Sequence, residues 1–118
     1  METKDAVAAL GALAQETRLA AFRALVEAGP AGIAAGALAA KLDVPPPTLS
    51  FHLTALANAG LVGATRDGRS IVYAADFAAM SALLGFLTDQ CCGGDPGACL
   101  PAVRLSAKPK PVRRRLPA

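Results

Sequence analysis

Tryptophan is absent from this chain, tyrosine occurs once and phenylalanine four times in 118 residues. A core assembled around aromatic rings is thereby excluded. The interior has to be filled by the abundant alanine and leucine, small side chains that suit closely packed helices. Each buries little area, so a chain of this size gains from covering more of its surface with a second copy of itself. Histidine also occurs once. No Ser/His/Asp-type constellation stands at a plausible spacing, and neither a Gly-rich phosphate loop nor a suitable carboxylate pair is present. An enzyme is therefore not expected.

Long apolar runs are missing as well. None reaches the roughly 18–20 residues needed to span a bilayer. The opening Met1-Glu2-Thr3-Lys4-Asp5 carries both signs of charge, without the basic region and long apolar stretch of a signal peptide. These absences lead to the expectation of a cytoplasmic protein with no membrane partner. Cysteine is scarce, and its three copies all fall between positions 91 and 99. Three thiols cannot all pair within one chain, and a reducing compartment keeps them free. Clustered in this way, they suggest a ligand site before a staple.

The net charge of +3 has to be divided before it means anything. Residues 1–100 hold six basic and nine acidic side chains, a balance of −3. Residues 101–118 hold Arg104, Lys108, Lys110, Arg113, Arg114 and Arg115 with no acid, a balance of +6. The high isoelectric point comes from the tail, so a nucleic-acid reading has to rest on where individual basic groups sit.

Along the chain, residues 5–14 read as a short Ala/Leu helix. A second helix runs from about Gln15 to Ala28, with Leu19, Phe22, Leu25 and Val26 on one face, and Gly29-Pro30 ends it. A third covers Ala34–Leu42 and closes at Asp43-Val44. Pro45-Pro46-Pro47 opens a fourth that runs to Ala59, with Leu49, Leu53 and Leu56 inward. The rhythm then changes to a period of two. Leu61–Arg66 and Arg69–Ala74 are β-type runs separated by Asp67-Gly68, a two-residue hairpin signal. Asp76 caps a fifth helix with Phe77, Met80, Leu83, Leu84 and Leu87 as its stripe, and Cys91 and Cys92 close it. From Pro101 the chain is a Pro/Lys/Arg tail, either a weak phosphate-gripping arm or a solvated disordered end.

This order predicts a mainly α fold with a β-hairpin wing, a winged helix-turn-helix. Residues 1–92 form its domain, and residues 93–118 form a flexible C-terminal segment. In such a fold the fourth helix enters the DNA major groove and reads base edges from its N-terminal half. The outward positions are Thr48, Ser50, Phe51, His52 and Thr54. Hydroxyls and an imidazole can hydrogen-bond to phosphates and base edges, and Phe51 can touch a thymine methyl or pack against the wing. Arg66 and Arg69 flank the hairpin tip, within reach of phosphate or minor groove. Taken singly, these residues also fit an ordinary polar helix surface and a solvated hairpin.

Two stretches carry a more specific signal. They are Ala12-Leu13-Ala14-Gln15-Glu16-Thr17-Arg18-Leu19 and Thr48-Leu49-Ser50-Phe51-His52-Leu53-Thr54-Ala55-Leu56-Ala57-Asn58-Ala59-Gly60-Leu61-Val62. Together they resemble the ArsR/SmtB family of metal-sensing repressors, and Arg66-Asp67-Gly68-Arg69 with Tyr73 resembles that family's wing. The resemblance covers roughly residues 8–92. It implies a homodimer built on the first and last helices, bound to an imperfect palindrome in operator DNA and released by an effector. It points to Ser50 and His52 as DNA contacts.

The effector is read from Cys91, Cys92 and Cys99. Thiolates are the natural ligands of soft ions, and As(III) or Sb(III) takes three sulfurs in a pyramid. Zinc normally takes four ligands, and the fourth would have to come from Asp89, Asp95 or a partner chain. The family's arsenic-type site on the third helix needs cysteines that Ala34–Leu42 lacks, and its zinc-type site on the fifth needs a histidine that Phe77–Gln90 lacks. The layout resembles instead the members with a vicinal cysteine pair and a third cysteine just after the fifth helix. An arsenic(III)-responsive repressor is therefore expected. The alternatives are a winged-helix repressor sensing zinc, cadmium, lead, an organoarsenical or an oxidant, and a metal-buffering thiol protein that binds no DNA.

Overall fold

Alanine at a helical spacing sets the first packing contact of the chain. In the first helix, α1 (Thr3–Leu13), Ala6, Ala9 and Ala12 are buried, a strip of methyl groups that lets the neighbouring backbone approach closely. The computed structural model describes residues 1–94, and of Cys91 and Cys92 the backbone alone. After α1 come α2 (Glu16–Ala28), β1 (Ile33–Ala34), α3 (Ala35–Leu42), α4 (Pro46–Asn58), β2 (Val62–Asp67), β3 (Ser70–Ala75) and α5 (Phe77–Thr88), then a single 3₁₀ turn, Cys91–Gly94. The architecture is a winged helix-turn-helix, as expected. Cys99 and the basic tail lie outside the described residues.

Helix ends follow local chemistry. The Gln15 side chain accepts from the Arg18 backbone N–H at 2.9 Å to cap α2, and Gly29 ends it with φ of 80°. Asp43 leaves α3 in the left-handed conformation. Pro46 and Pro47 occupy the first turn of α4, where their missing N–H groups leave no donor unsatisfied. Asp76 caps α5, accepting from the Ala79 N–H at 2.9 Å.

A single core joins these elements. It contains Ala21, Phe22, Ala24 and Leu25 of α2, Leu38 and Ala39 of α3, Leu49, Leu53 and Leu56 of α4, and Leu83 of α5. The inward stripe of α4 is the expected one. That of α2 is not: Leu19 is 44% exposed, and Ala21 and Ala24 are buried in its place. Counting only large side chains misplaced the centre of this stripe, because on a helix enclosed by α1, α4 and β3 the alanines are core. The stripe of α5 differs too. Leu83 is buried, Phe77 and Met80 partly so, while Leu84 and Leu87 are exposed.

The sheet has the order β1-β3-β2, all antiparallel. Its first strand was not expected, because a two-residue strand has no periodicity to read; it exists through pairing of Ile33 with Tyr73 and Ala34 with Val72. The hairpin register pairs Asp67 with Ser70, so the two turn residues are Gly68 and Arg69 rather than Asp67 and Gly68. Gly68 has φ of 63°, as a first turn residue of the primed type requires. A further correction concerns the cysteines. Helix α5 ends at Thr88, and Cys91 and Cys92 follow it in the 3₁₀ turn, past Gln90 at φ of 59°.

Gly32 is the point at which β1 meets the wing. Its φ is 76°, and a Cβ there would run into the Tyr73 carbonyl and stand 3.0 Å from Val72 Cγ1. Gly32→Ala is expected to destabilise the fold by at least about 1–3 kcal/mol, through backbone strain and a displaced strand. Gly36→Ala in α3, where nothing lies within 4 Å of the added methyl, should stabilise by about 0.5–1 kcal/mol. Urea unfolding of the two variants checks both signs.

Candidate nucleic-acid interface

Burial of Leu49, Leu53 and Leu56 fixes how α4 is rotated about its axis, and that rotation selects what faces solvent. Thr48, Ser50, Phe51 and Thr54 are exposed, and His52 is half-buried. The structure therefore brings these five residues onto the outer side of one helix. Thr54 is partly committed, since its hydroxyl donates to the Ser50 carbonyl at 2.9 Å and keeps only its lone pairs for a ligand. Phe51 is 66% exposed, the most exposed large apolar side chain among the described residues. A core-forming phenylalanine would not be left so open; a surface-reading one would.

The helix is electrostatically unusual. Pro46–Asn58 contains no acidic residue, and His52 is its sole titratable side chain. Its N-terminal turn lacks the two amide donors that prolines cannot supply, so anions must be met mainly by side chains. Positive charge comes instead from neighbouring elements. In the wing, β2 is exposed beyond Val62, and both Arg66 in β2 and Arg69 in the turn are exposed. They stand on a hairpin that leaves the body of the domain, the geometry of a side contact to a duplex.

A third cation escaped the sequence reading. Arg18, from the first turn of α2, donates through Nε to Nδ1 of His52 at 3.2 Å. Its guanidinium carbon lies 5.9 Å from the centre of the Phe51 ring, within cation–π range. The Phe51 and His52 rings meet edge to face, 5.5 Å apart at 66°. Arg18 belongs to the Thr17-Arg18-Leu19 stretch that carried the family resemblance. No local pattern ties it to a residue 34 positions away, and only the packing of α2 on α4 does so.

Elsewhere, an open groove of about 550 Å³ at the α1–α2 junction is lined by Leu13, Ala14, Gln15, Glu16, Thr17 and Leu19, with no thiol among them. Cys91 and Cys92 lie beyond α5, at the opposite end of the element order from this groove. Cys99, the third member of the expected set, lies outside the described residues. No helix among the described residues is long and apolar enough to cross a membrane.

Comparison with known proteins agrees with this geometry. A family model described as a helix-turn-helix domain matches residues 13–62, the span from the end of α1 to the start of β2. Among curated proteins none matches. Among solved structures, an ArsR-like transcriptional regulator from a Rhodococcus species is 29% identical, with a TM-score of 0.65, covering 91% of this chain and 96% of its own. NolR from Sinorhizobium fredii is 30% identical, with a TM-score of 0.55, covering 75% of this chain and 85% of its own. A homodimeric winged helix-turn-helix DNA-binding domain from Mycobacterium bovis, described as a possible ArsR-family transcriptional regulator, is 28% identical. Its TM-score is 0.59, and it covers 78% of this chain and 85% of its own.

If Phe51 serves a ligand rather than the core, Phe51→Ala should change unfolding free energy by no more than about 0.5 kcal/mol. Truncating the buried Phe22 should instead cost about 3–5 kcal/mol. Parallel denaturant titrations check the contrast.

Proposed function

We infer, because this chain belongs to the ArsR-like family of winged-helix transcriptional regulators, that it is a homodimeric repressor released from operator DNA when As(III) or Sb(III) binds Cys91, Cys92 and Cys99. The observation that supports DNA binding is the outer side of α4. Thr48, Ser50, Phe51 and His52 are presented on a helix held by three buried leucines, with Arg66 and Arg69 on the wing beside it. The helix supplies contacts to base edges, and the arginines supply phosphate contacts that set register.

Support for a dimer comes from α1 and α5, which pack together and leave apolar surface uncovered. Val7 is 63% exposed, Leu10 43%, Leu84 40% and Leu87 55%. Such a face on two adjoining helices suits a second copy of the chain, and two reading helices about 34 Å apart then match successive major grooves. Leu87→Lys is expected to shift the protein from dimer to monomer at micromolar concentration, read by sedimentation velocity.

The effector assignment rests on the donor set. Three thiolates satisfy a trivalent pyramidal ion completely, whereas a divalent ion such as zinc would need a further ligand. Because Cys91 and Cys92 follow α5 after only Asp89 and Gln90, a ligand that ties them to Cys99 acts close to the end of a helix proposed to form the dimer face. A small shift there changes the separation of the reading helices. A coupling of about 1–3 kcal/mol would weaken operator binding some 5–150-fold.

Fluorescence anisotropy of operator DNA, titrated with arsenite, zinc and cadmium under reducing conditions, tests this reading. Release by arsenite alone is expected, and Cys92→Ser should bind DNA as tightly as the parent while losing the response. Tight binding untouched by arsenite, or a normal response in Cys92→Ser, removes the effector assignment. Failure to bind DNA in a salt-dependent way removes the repressor.

A further inference from the structure

We propose that Arg18 of α2 is a positioning residue for the DNA-reading helix: it fixes the imidazole of His52 in one tautomer, so that this ring meets DNA as a hydrogen-bond donor. The inference rests on the repressor reading above and deepens it.

The chemistry is set by what arginine can do. A guanidinium has donors and no acceptor, so the 3.2 Å contact from Arg18 Nε makes Nδ1 of His52 the acceptor. An accepting ring nitrogen carries no proton, and the proton of the neutral ring then sits on Nε2. Among the described residues no protein group accepts from Nε2. A free Nε2–H matches acceptors alone: a phosphate oxygen, N7 or O6 of guanine, N7 of adenine, or O4 of thymine. It does not match the exocyclic amine of cytosine. The tautomer therefore biases which base edge His52 can meet.

Arg18 is placed to hold this state. Its backbone N–H donates to the Gln15 side chain at 2.9 Å, and the helix whose first turn it occupies is anchored by Ala21, Phe22 and Leu25 in the core. The same guanidinium lies over Phe51, whose ring meets His52 edge to face. One side chain from α2 thus ties two adjacent reading residues of α4 to the body of the domain. Lysine would keep the charge but not the flat group that donates edgewise while stacking.

His52 is the chain's single histidine, so its ring nitrogens give an unambiguous long-range ¹H–¹⁵N spectrum. The expected spectrum of the free protein shows an unprotonated, pyridine-like Nδ1 and a protonated, pyrrole-like Nε2, with Arg18→Ala moving both toward averaged values. DNA binding is then measured on a duplex that the wild-type protein selects from a random pool, and on a scrambled duplex. Arg18→Ala should weaken the selected duplex roughly tenfold, the size of one lost specific contact. The scrambled duplex should be nearly unaffected and the salt slope unchanged. In a His52→Ala background the same substitution should cost nothing further. Arg18→Met, which keeps most of the stem and has no donor, should lose affinity for the selected duplex in the same way and serves if Arg18→Ala folds poorly.

An Nδ1–H ring in the wild-type protein overturns the proposal. So do losses at Arg18 and His52 that simply add. Equal losses on both duplexes, with the salt slope reduced by about 0.9, would make Arg18 a direct phosphate contact instead. A protein that selects no duplex overturns the repressor reading and this role with it, while the spectrum still judges the Arg18–His52 bond on its own.

Discussion

The surface that α4 offers to a ligand depends on how that helix is rotated, and three leucines set the rotation. Leu49, Leu53 and Leu56 are all at most 1% exposed. Each buried leucine contributes on the order of 1.5–3 kcal/mol of transfer free energy. Turning α4 to hide any other side would put Phe51 and His52 into the core and leucines into water. The rotation is thus fixed by a hydrophobic term several times larger than any polar contact the helix makes. Thr48, Ser50, Phe51, His52 and Thr54 share their exposed side because of residues that never touch a ligand.

The reading helix itself carries almost no charge, and the domain handles this by division of labour. Cations arrive from other elements: Arg66 and Arg69 from the wing, and Arg18 from α2. A neutral helix flanked by such groups separates two tasks, since charge attracts a polyanion without regard to sequence, while hydroxyls, an imidazole and a phenyl ring discriminate among base edges. Arg18 differs from the wing arginines, because its guanidinium is engaged with the imidazole and the phenyl ring of the reading helix itself.

Alanine is what allows so short a chain to be built this way. Ala6, Ala9 and Ala12 on α1, with Ala21 and Ala24 on α2, bring helices close with little side-chain volume. Close approach limits the area each contact removes from water, and the apolar surface left on α1 and α5 reflects that shortfall. Val7, Leu10, Leu84 and Leu87 surround no core of their own within one chain. A core of small residues and an uncovered helical face are therefore two consequences of one composition.

Much of this was legible in the sequence because it is local. Helix periodicity, Gly29, Asp43 and the prolines before α4, the Asp76 cap and the change to a two-residue rhythm each act within a few residues, and they place all five helices and the hairpin within a few positions. The outer residues of α4 follow from its leucine spacing by the same logic. What the sequence did not determine involves partners far apart along the chain. Strand β1 exists only because β3 lies beside it. Leu19 is exposed because the alanines opposite it fill the space between helices. Arg18 reaches His52 because α2 is packed against α4, and no spacing rule connects positions 18 and 52. Local backbone preferences can be read one segment at a time, whereas a contact between segments is decided only when their faces are buried against each other.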